Sequence, residues 1–465
     1  MRTLFFLALV ISSWAANATE LTLSQPVLYD EGESLYAVVH VKWRNAWNNE
    51  KNHDAAWLFF KALPAQGGYR TVRLTDTGHD VIWTRRYSPT WEIPQDQTGM
   101  FLIPPPGRWD TFEVTLRVEL DRESIKGLRL RGTRLMAYGL EMVKIPEGGF
   151  TLGDPSPEAR AHGGLFVANR QGDYDGLYTV TRENIAIEVG KGEDLYYQAP
   201  DGYEGDQQGT IPAEFPKGYD PFFMMKYEPT EGQYVSFLNS LIPEQATERE
   251  IFQVDNYSGY IRKEGERYTS DSPNAPCAYL GWDDAMAFAD WAALRPMTEL
   301  EYTKAARGDT QILAGGFPWS TSSKLEVLRW PAEDTGVLYQ LNGYTEAQLT
   351  DFTMAMFGAS YYWVMDLAGS MWEKVISVGH PYGRAFTGQH GDGNLAADGF
   401  ANVEGWPVHR EKTGGFGFRG GGFYGYTREY HQYNPFSPVA YRPYGGWDGG
   451  DRSLSYGARF VRDAN

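Results

Sequence analysis

The chain contains one cysteine among 465 residues, and this limits the ways in which its fold can be stabilised. Cys277 has no partner for an intrachain disulfide, and a zinc site built on cysteines is excluded for the same reason. A chain of this length exceeds one ordinary hydrophobic core. Aromatic residues make up 15% of the sequence and 52 residues are glycine. We therefore expect two or three loop-rich domains, held by buried rings, close packing and bound metal.

The net charge of the chain limits the kinds of molecule that it can bind. The formal net charge is -18 at pH 7, and no run of basic residues offsets it. An acidic surface repels phosphate backbones, so we exclude nucleic acid as a partner. The excess of carboxylates is typical of a soluble exported protein that holds divalent cations.

The N-terminus has the pattern of a secretory signal peptide. Arg2 precedes an apolar stretch over residues 4–14, and Ala16-Asn17-Ala18 follows as a small-residue cleavage motif. We predict a signal peptide over residues 1–18 and a secreted or periplasmic protein. The stretch is too short to span a bilayer, and no later segment is apolar enough to do so. The alternative is a buried N-terminal strand.

Residues 19–140 predict an all-β domain. Short runs rich in β-branched and aromatic residues alternate with Asn, Gly, Asp and Pro, and no helical period is present. This spacing favours an immunoglobulin-like β-sandwich over 19–140. The predicted strands are Leu21–Leu23, 34–42, 56–61, 69–74 and 111–120.

A second domain is predicted over residues 141–465. It opens with a strand, a glycine turn and a second strand over 142–153, and a polar insertion follows over about 154–219. Two capping boxes mark helix starts, at Thr230 with Gln233 and at Thr298 with Glu301. An alanine-rich segment over 283–294 predicts a closely packed helix between them.

Seven blocks of this second domain resemble the formylglycine-generating-enzyme, or sulfatase-modifying-factor, family. Met365 to Glu373 is similar to the family's "Y-D-M-A-G-N-V-W-E", and Arg419 to Phe423 is similar to "R-G-G-S-F". The resemblance implies an α+β, C-type-lectin-like fold with low regular content. Residues 19–140 resemble the β-sandwich that precedes this domain in some exported bacterial relatives. In chain order the blocks are 142–150, 225–234, 282–285 with 294–308, 317–319, 365–373, 419–423, and 440–442 with 457–462.

The chain departs from the family where the family's oxidation chemistry takes place. The resemblance implies two cysteines just after the "R-G-G-S-F" strand, which bind copper(I) and form a mixed disulfide with a substrate thiol. Gly425 and Tyr430 stand roughly at those positions, and neither can act as a thiolate ligand. Cys277 matches no catalytic position of the family and is expected to be a small buried hydrophobe. We therefore expect no copper and no formylglycine generation.

Calcium is the cofactor that the resemblance still allows, because hard cations bind several oxygens in loops. Two loops match the family's calcium loops, although Ser370 replaces the usual asparagine in the second. Alternatively, Asp351 only forms a turn and Glu373 is a buried partner for an arginine such as Arg419. The predicted ligands are Asn342, Gly343 and Asp351 in the first loop, and Gly369, the Met371 carbonyl and Glu373 in the second.

The family's substrate groove is lined by the segment that follows the "R-G-G-S-F" strand and by a neighbouring strand. In this chain those segments are rich in rings and guanidinium groups, which bind peptides or sugars by stacking and paired hydrogen bonds. The tyrosines could equally pack long loops together. The candidate ligand-binding residues are Tyr424, Tyr426, Arg428, Tyr430, His431 and Arg442.

These features favour a non-catalytic binding or structural module, a pseudoenzyme, at a bacterial cell surface or in the periplasm. Its ligand would be a protein, a peptide or a glycan. The alternative is an enzyme that oxidatively modifies an exported peptide or protein by different chemistry, since fold does not fix function. The eight scattered histidines form no recognisable iron or zinc motif that would support this alternative.

Overall fold

The computed structural model describes residues 21–199, 205–255, 257, 259–323, 353–422 and 438–464, together with the backbone of 327–328 and 339–340. These residues form a strand-rich mixed fold. The strands are β1 (Leu21–Leu23), β2 (Val27–Glu31), β3 (Ser34–Asn48), β4 (Asp54–Leu63), β5 (Arg70–Val72), β6 (Asp80–Thr84), β7 (Thr90–Glu92), β8 (Met100–Ile103), β9 (Gly107–Leu120), β10 (Arg134–Ile145), β11 (Phe150–Thr151), β12 (Val167–Ala168), β13 (Tyr174–Gly176), β14 (Thr179–Val180), β15 (Ile187–Val189), β16 (Gly209–Ile211), β17 (Phe222–Met225), β18 (Ile261–Glu264), β19 (Arg267–Ser270), β20 (Arg295–Pro296), β21 (Val327–Leu328), β22 (Tyr339–Gln340), β23 (Trp372–Ile376), β24 (Phe416–Arg419), β25 (Tyr456–Gly457) and β26 (Phe460–Asp463). The α-helices are α1 (Pro157–Ala161), α2 (Glu231–Leu238), α3 (Pro243–Glu248), α4 (Trp282–Trp291), α5 (Glu299–Arg307) and α6 (Pro381–Arg384).

The first sheet has five strands in the order β1-β3-β9-β6, and β2 pairs with the other half of β3. Its long central pair, β3 and β9, is antiparallel along almost the whole of both strands. Ala37, Val39 and Val41 are buried, while the residues between them are only partly covered. Buried and less buried residues therefore alternate along β3, as the pleat of a strand with one face on the core requires.

The second sheet has eight strands in the order β20-β26-β17-β10-β4-β8-β7, and β5 is attached to β4. Strand β10 pairs with β4 over Arg134 to Val143 and with β17 over Met142 to Ile145. Strand β10 therefore joins β4 and β17 by backbone hydrogen bonds into one sheet. The expected domain boundary at residue 140 lies inside β10, so a single sheet crosses from one predicted domain into the other.

Strand β4 is buried on both faces, which accounts for its continuous apolar run. On one face, Leu58 and Phe60 join the core residues of β3 and β9. On the other face, the Phe59 ring lies 5.1 Å from the Trp291 ring of α4 in an edge-on contact. The Trp57 indole nitrogen donates a hydrogen bond to the Ala292 carbonyl at 2.8 Å. A strand covered on both sides needs apolar side chains at every position, and alternation disappears.

The helix signals of the sequence are confirmed. At the start of α2 the Thr230 hydroxyl accepts from the Gln233 amide, and the Gln233 side chain accepts from the Thr230 amide. The same reciprocal pair is formed by Thr298 and Glu301 at the start of α5. Gly308 ends α5 with a φ of 64°, a conformation that favours glycine.

The insertion over 154–219 folds into short strand pairs and the one-turn helix α1. Strand β14 pairs with β11, which ties the insertion to the opening strands of the second domain. Ala159 of α1 packs against Ala440 and Tyr441, and the His162 and Tyr441 rings stack at 4.6 Å. The insertion therefore packs against Ala440 and Tyr441, which precede the predicted groove residue Arg442.

A three-stranded sheet in the order β24-β23-β25 contains Glu373 of the second predicted calcium loop. Strands β23 and β24 are antiparallel, and β23 and β25 are parallel. All five residues of β23 are buried. Within the described residues, no helix combines the length and the apolar character that crossing a bilayer requires.

Candidate functional site

The carboxylate of Glu373, on β23, forms a buried ion pair with Arg459. The Arg459 Nη2 atom lies 2.6 Å from Glu373 Oε1, and Nε lies 3.0 Å from Oε2. Arg459 also donates to the carbonyls of Met225 and Met365, at 2.7 and 2.8 Å. Glu373 and Arg459 are both inaccessible to solvent. Glu373, predicted as a calcium ligand, therefore has the buried arginine partner that the alternative interpretation gave it, but this partner is Arg459 and not Arg419.

Arg419 and Arg442 converge on a second buried carboxylate, Glu299 at the first position of α5. Arg442 Nε lies 2.6 Å from Glu299 Oε2, and its Nη2 lies 2.8 Å from Oε1. Arg419 Nη1 lies 3.4 Å from Oε2. The Val378 amide adds a hydrogen bond to Oε1 at 2.8 Å. Glu299 thus joins α5 to the end of β24, the loop after β23 and the segment at 442.

Glu301, two residues further along α5, organises a third pair. Arg295 Nη2 lies 2.6 Å from Glu301 Oε1 and 2.5 Å from Asp463 Oδ1. Glu301 Oε2 also accepts the Thr298 amide at 2.9 Å, as part of the capping box. One carboxylate therefore caps the helix and pairs with an arginine of the adjacent strand β20. Buried charges of this kind require such complete pairing.

The second predicted calcium loop is described, and two of its backbone amides and the Ser370 hydroxyl form hydrogen bonds within the protein. The Gly369 amide donates to the Gly420 carbonyl at 3.1 Å. The Met371 amide and the Ser370 hydroxyl donate to the two carboxylate oxygens of Glu228, at 3.0 and 2.8 Å. Burial and the adjacent charge of Glu373 raise the pKa of Glu228 well above its usual range.

Glu373 would have to share its carboxylate with an arginine in order to hold calcium there. Burial raises its pKa, and the Arg459 charge opposes that rise. Asp366 adds a third carboxylate to the electrostatic surroundings of Arg459. Calcium at this loop would therefore bind beside a guanidinium or displace it. Asn342, Gly343 and Asp351, the predicted ligands of the first loop, lie outside the described residues.

Of the predicted ligand-binding residues, only Arg442 is among the residues that the structure describes. Its side chain is 1% exposed, and Nη1 donates to the Gly163 carbonyl at 2.9 Å. The guanidinium also lies over the Tyr197 ring, 4.6 Å from its centre. Arg442 therefore faces the interior and fastens the insertion to α5. The remaining candidates, Tyr424, Tyr426, Arg428, Tyr430 and His431, lie outside the described residues.

Cys277 is a buried residue, as expected from the sequence. It is 1% exposed, and burial raises the pKa of its thiol well above the usual range, with a further contribution from the Glu231 charge. Such a thiol is poor in the thiolate that nucleophilic attack and metal binding require.

One ionisable cluster was missed by the sequence analysis. Asp54, Glu141 and Lys226 come together on neighbouring strands of the second sheet, and all three side chains are at most 3% exposed. Each of these three residues lies within or next to a strand of mostly apolar residues. A charged residue in such a run is the signal that could have indicated a buried polar site.

The family described as sulfatase-modifying factor enzyme 1-like domain matches residues 179–464, and the chain belongs to this family. The match begins after residue 141, where the sequence analysis placed the start of the domain. A formylglycine-generating enzyme of Thermomonospora curvata is 31% identical over 112 residues, which cover 22% of this chain and 34% of that enzyme. The chain thus spans about a third of the length of that relative.

A similarity to a solved structure is too weak to support an argument. The crystal structure of the group B streptococcus pilus 2b backbone protein matches at 13% identity with a TM-score of 0.12, over 42% of this chain and 89% of that one.

Replacing Glu299 with glutamine tests the importance of the shared carboxylate. The change keeps the shape of the side chain but removes the buried negative charge that pairs with Arg419 and Arg442. We expect Glu299→Gln to lower the free energy of unfolding by about 3–5 kcal/mol, measured by urea denaturation. Asp451→Asn is the matched control, because the Asp451 side chain is 96% exposed. A loss of under about 1 kcal/mol for Glu299→Gln would contradict this assignment.

Proposed function

We propose that this protein is an exported sulfatase-modifying-factor-like module that binds a ligand or supports an assembly without catalysing a reaction. The supporting observation is its single, buried thiol. The family's oxidation needs a pair of accessible thiolates, and the chain has one cysteine that is 1% exposed. A copper(I) site of the family type therefore has no sulfur ligands at the positions that the resemblance implies.

The finer architecture is part of the proposal. We infer an immunoglobulin-like sandwich before a C-type-lectin-like domain. The sandwich is supported by the core that β3 and β9 share with β4, which joins two sheets face to face. The lectin-like arrangement is supported by long connections that buried ion pairs fasten to α5, such as the segment carrying Arg442.

The ligand would contact the segment over 424–431, and it would be a protein, a peptide or a glycan. Two features flank that segment. Gly420 and Gly421, directly after β24, have φ angles of 86° and 76°, a conformation that favours glycine. On the other flank, Tyr441 is held by the insertion through its stack with His162. The described residues on either side of the segment, Gly421 and Tyr441, therefore have defined positions in the fold.

A thiol-oxidation assay decides between this proposal and enzymatic alternatives. The purified protein is incubated with copper, oxygen and a peptide containing Cys-x-Pro-x-Arg, and the peptide thiol is followed by mass spectrometry. We expect no loss of the thiol beyond a protein-free control, and no copper or iron at the stoichiometry of the protein. Turnover of the peptide would overturn the proposal. If turnover occurs, Cys277→Ser shows whether the single thiol is responsible.

Export is proposed from the apolar segment and the cleavage motif near the N-terminus. Expression with the natural N-terminus in a bacterial host, followed by fractionation and N-terminal sequencing, tests this. We expect a mature chain that begins at Thr19 in the periplasm or the medium. An intact N-terminus on a chain confined to the cytoplasm would contradict export.

Calcium binding is proposed at the first predicted loop, where Asp351 would supply a carboxylate. A ligand that binds only the folded state stabilises it by about 2.7 kcal/mol at a hundred times its dissociation constant. We therefore expect calcium to raise the unfolding temperature, and Asp351→Asn to reduce the rise. Magnesium is the control because it demands stricter octahedral geometry. An equal rise with magnesium, or a full calcium effect in the variant, would count against the site.

A further inference from the structure

A buried lysine lies between two carboxylates where the N-terminal strands join the family domain. Asp54 is the first residue of β4, Glu141 lies on β10, and Lys226 directly follows β17. Asp54 is the register partner of Val143 on β10. The Lys226 amide donates to the Glu141 carbonyl at 2.8 Å, which continues the ladder between β17 and β10. Three neighbouring strands therefore hold the three side chains in one place.

The geometry brings the lysine nitrogen close to both acids. Lys226 Nζ lies 3.0 Å from Asp54 Oδ2 and 3.5 Å from Glu141 Oε2. The exposed fractions of the three side chains are 3% for Lys226, 0% for Asp54 and 1% for Glu141. The carboxyl carbon Cγ of Asp54 is one bond beyond the oxygen that the amine contacts. This is the proximity and burial that an intramolecular reaction between two groups requires.

The cluster is poorly satisfied as a simple set of ion pairs. Among the described residues, Asp54 Oδ1 and both carboxylate oxygens of Glu141 accept no hydrogen bond. When ionised, the three side chains carry two negative charges and one positive charge, and the charge of Arg108 also acts on Asp54. Buried charges normally acquire a full set of hydrogen-bond partners, because leaving a group unsatisfied is costly. The unpaired oxygens therefore indicate a role other than stabilisation by charge pairing.

The surroundings favour the neutral carboxyl form of Asp54, which amide formation needs. Burial raises the pKa of Asp54 to about 7, the Glu141 charge adds to this rise, and the charges of Lys226 and Arg108 oppose it. A neutral carboxyl group is therefore accessible near neutral pH. Transfer of a proton from the ammonium group of Lys226 to a carboxylate would leave a nucleophilic amine beside that carboxyl group.

We propose that Lys226 and Asp54 become joined by an intramolecular isopeptide bond, with Glu141 as the residue that transfers protons. The Lys226 amine attacks Asp54 Cγ and forms a tetrahedral intermediate. Glu141 accepts the proton from the nitrogen and passes it to the departing Asp54 oxygen. One carbon–nitrogen bond forms, one carbon–oxygen bond breaks, and one water molecule leaves. No oxidant, reductant or other reactant is consumed.

The bond would join two distant parts of a chain that can form no disulfide. Asp54 and Lys226 are 172 positions apart in the sequence, and a cross-link that closes a long loop restricts the unfolded state more than one that closes a short loop. It would also replace two buried charges by one neutral amide. The link would fix the N-terminal strands to the family domain. It goes beyond the proposed function, because it holds whether or not the protein catalyses a reaction.

The mass of the full-length protein under denaturing conditions decides whether the bond exists. We expect the wild-type chain to be lighter by one water than its sequence requires, after allowance for the observed N-terminus. Tryptic digestion should then give a branched peptide that joins the segments around residues 54 and 226, with no cleavage after Lys226. A full sequence mass with ordinary cleavage after Lys226 overturns the proposal. A water loss that maps elsewhere overturns it as well.

Matched variants identify the role of each residue. Glu141→Gln keeps the lysine and the aspartate but removes the proton carrier, so we expect at least a tenfold lower cross-linked fraction. Lys226→Arg keeps the positive charge and should show the full sequence mass. Asp54→Asn should give the same branched product, because its amide would release ammonia in place of water. Circular dichroism confirms that each variant is folded. Full cross-linking in folded Glu141→Gln would overturn the role of Glu141.

Discussion

The described fold depends on buried arginine–carboxylate pairs that fasten long connections to the start of α5. Glu299 holds Arg419 and Arg442, and Glu301 holds Arg295. Each pair is desolvated, so its formation requires that both partners are already in place, and loss of one partner leaves an uncompensated charge. Segments with little regular structure can therefore adopt one conformation only when the whole set of pairs has formed.

The same arginines lie in the part of the chain that the family model matches, residues 179–464. Arg295, Arg419, Arg442 and Arg459 all lie in blocks that resemble the family, and each is at most 2% exposed. These arginines position backbone carbonyls and carboxylates in the interior, so their role is to stabilise the fold. A domain can keep this support and lose the thiols of an active site, because the two sets of residues do not share side chains. This separation is consistent with a binding or structural role.

Strand β10 has a similar stabilising role, because it holds together the two predicted domains at their junction. Because it pairs with β4 on one edge and β17 on the other, the N-terminal strands cannot move independently of the family domain without breaking a sheet. The Asp54–Glu141–Lys226 cluster lies at that junction. Local sequence patterns predicted the strand at 56–61 and the strand that opens the second domain at 142, but not that both belong to one sheet. A strand pairing between residues far apart in sequence has no local signal.

The sequence by itself determined the signals that act within a few residues: the capping boxes at Thr230 and Thr298, the alternation along β3, and the cysteine count that removes paired-thiol chemistry. The resemblance between blocks added the family. Only the tertiary structure decided which arginine pairs with Glu373, that Arg442 faces inward, and that Lys226 meets Asp54 and Glu141. Helix caps and strand alternation are local effects of backbone geometry, whereas a charge buried in the interior takes its partner from whichever distant segment the packing brings beside it.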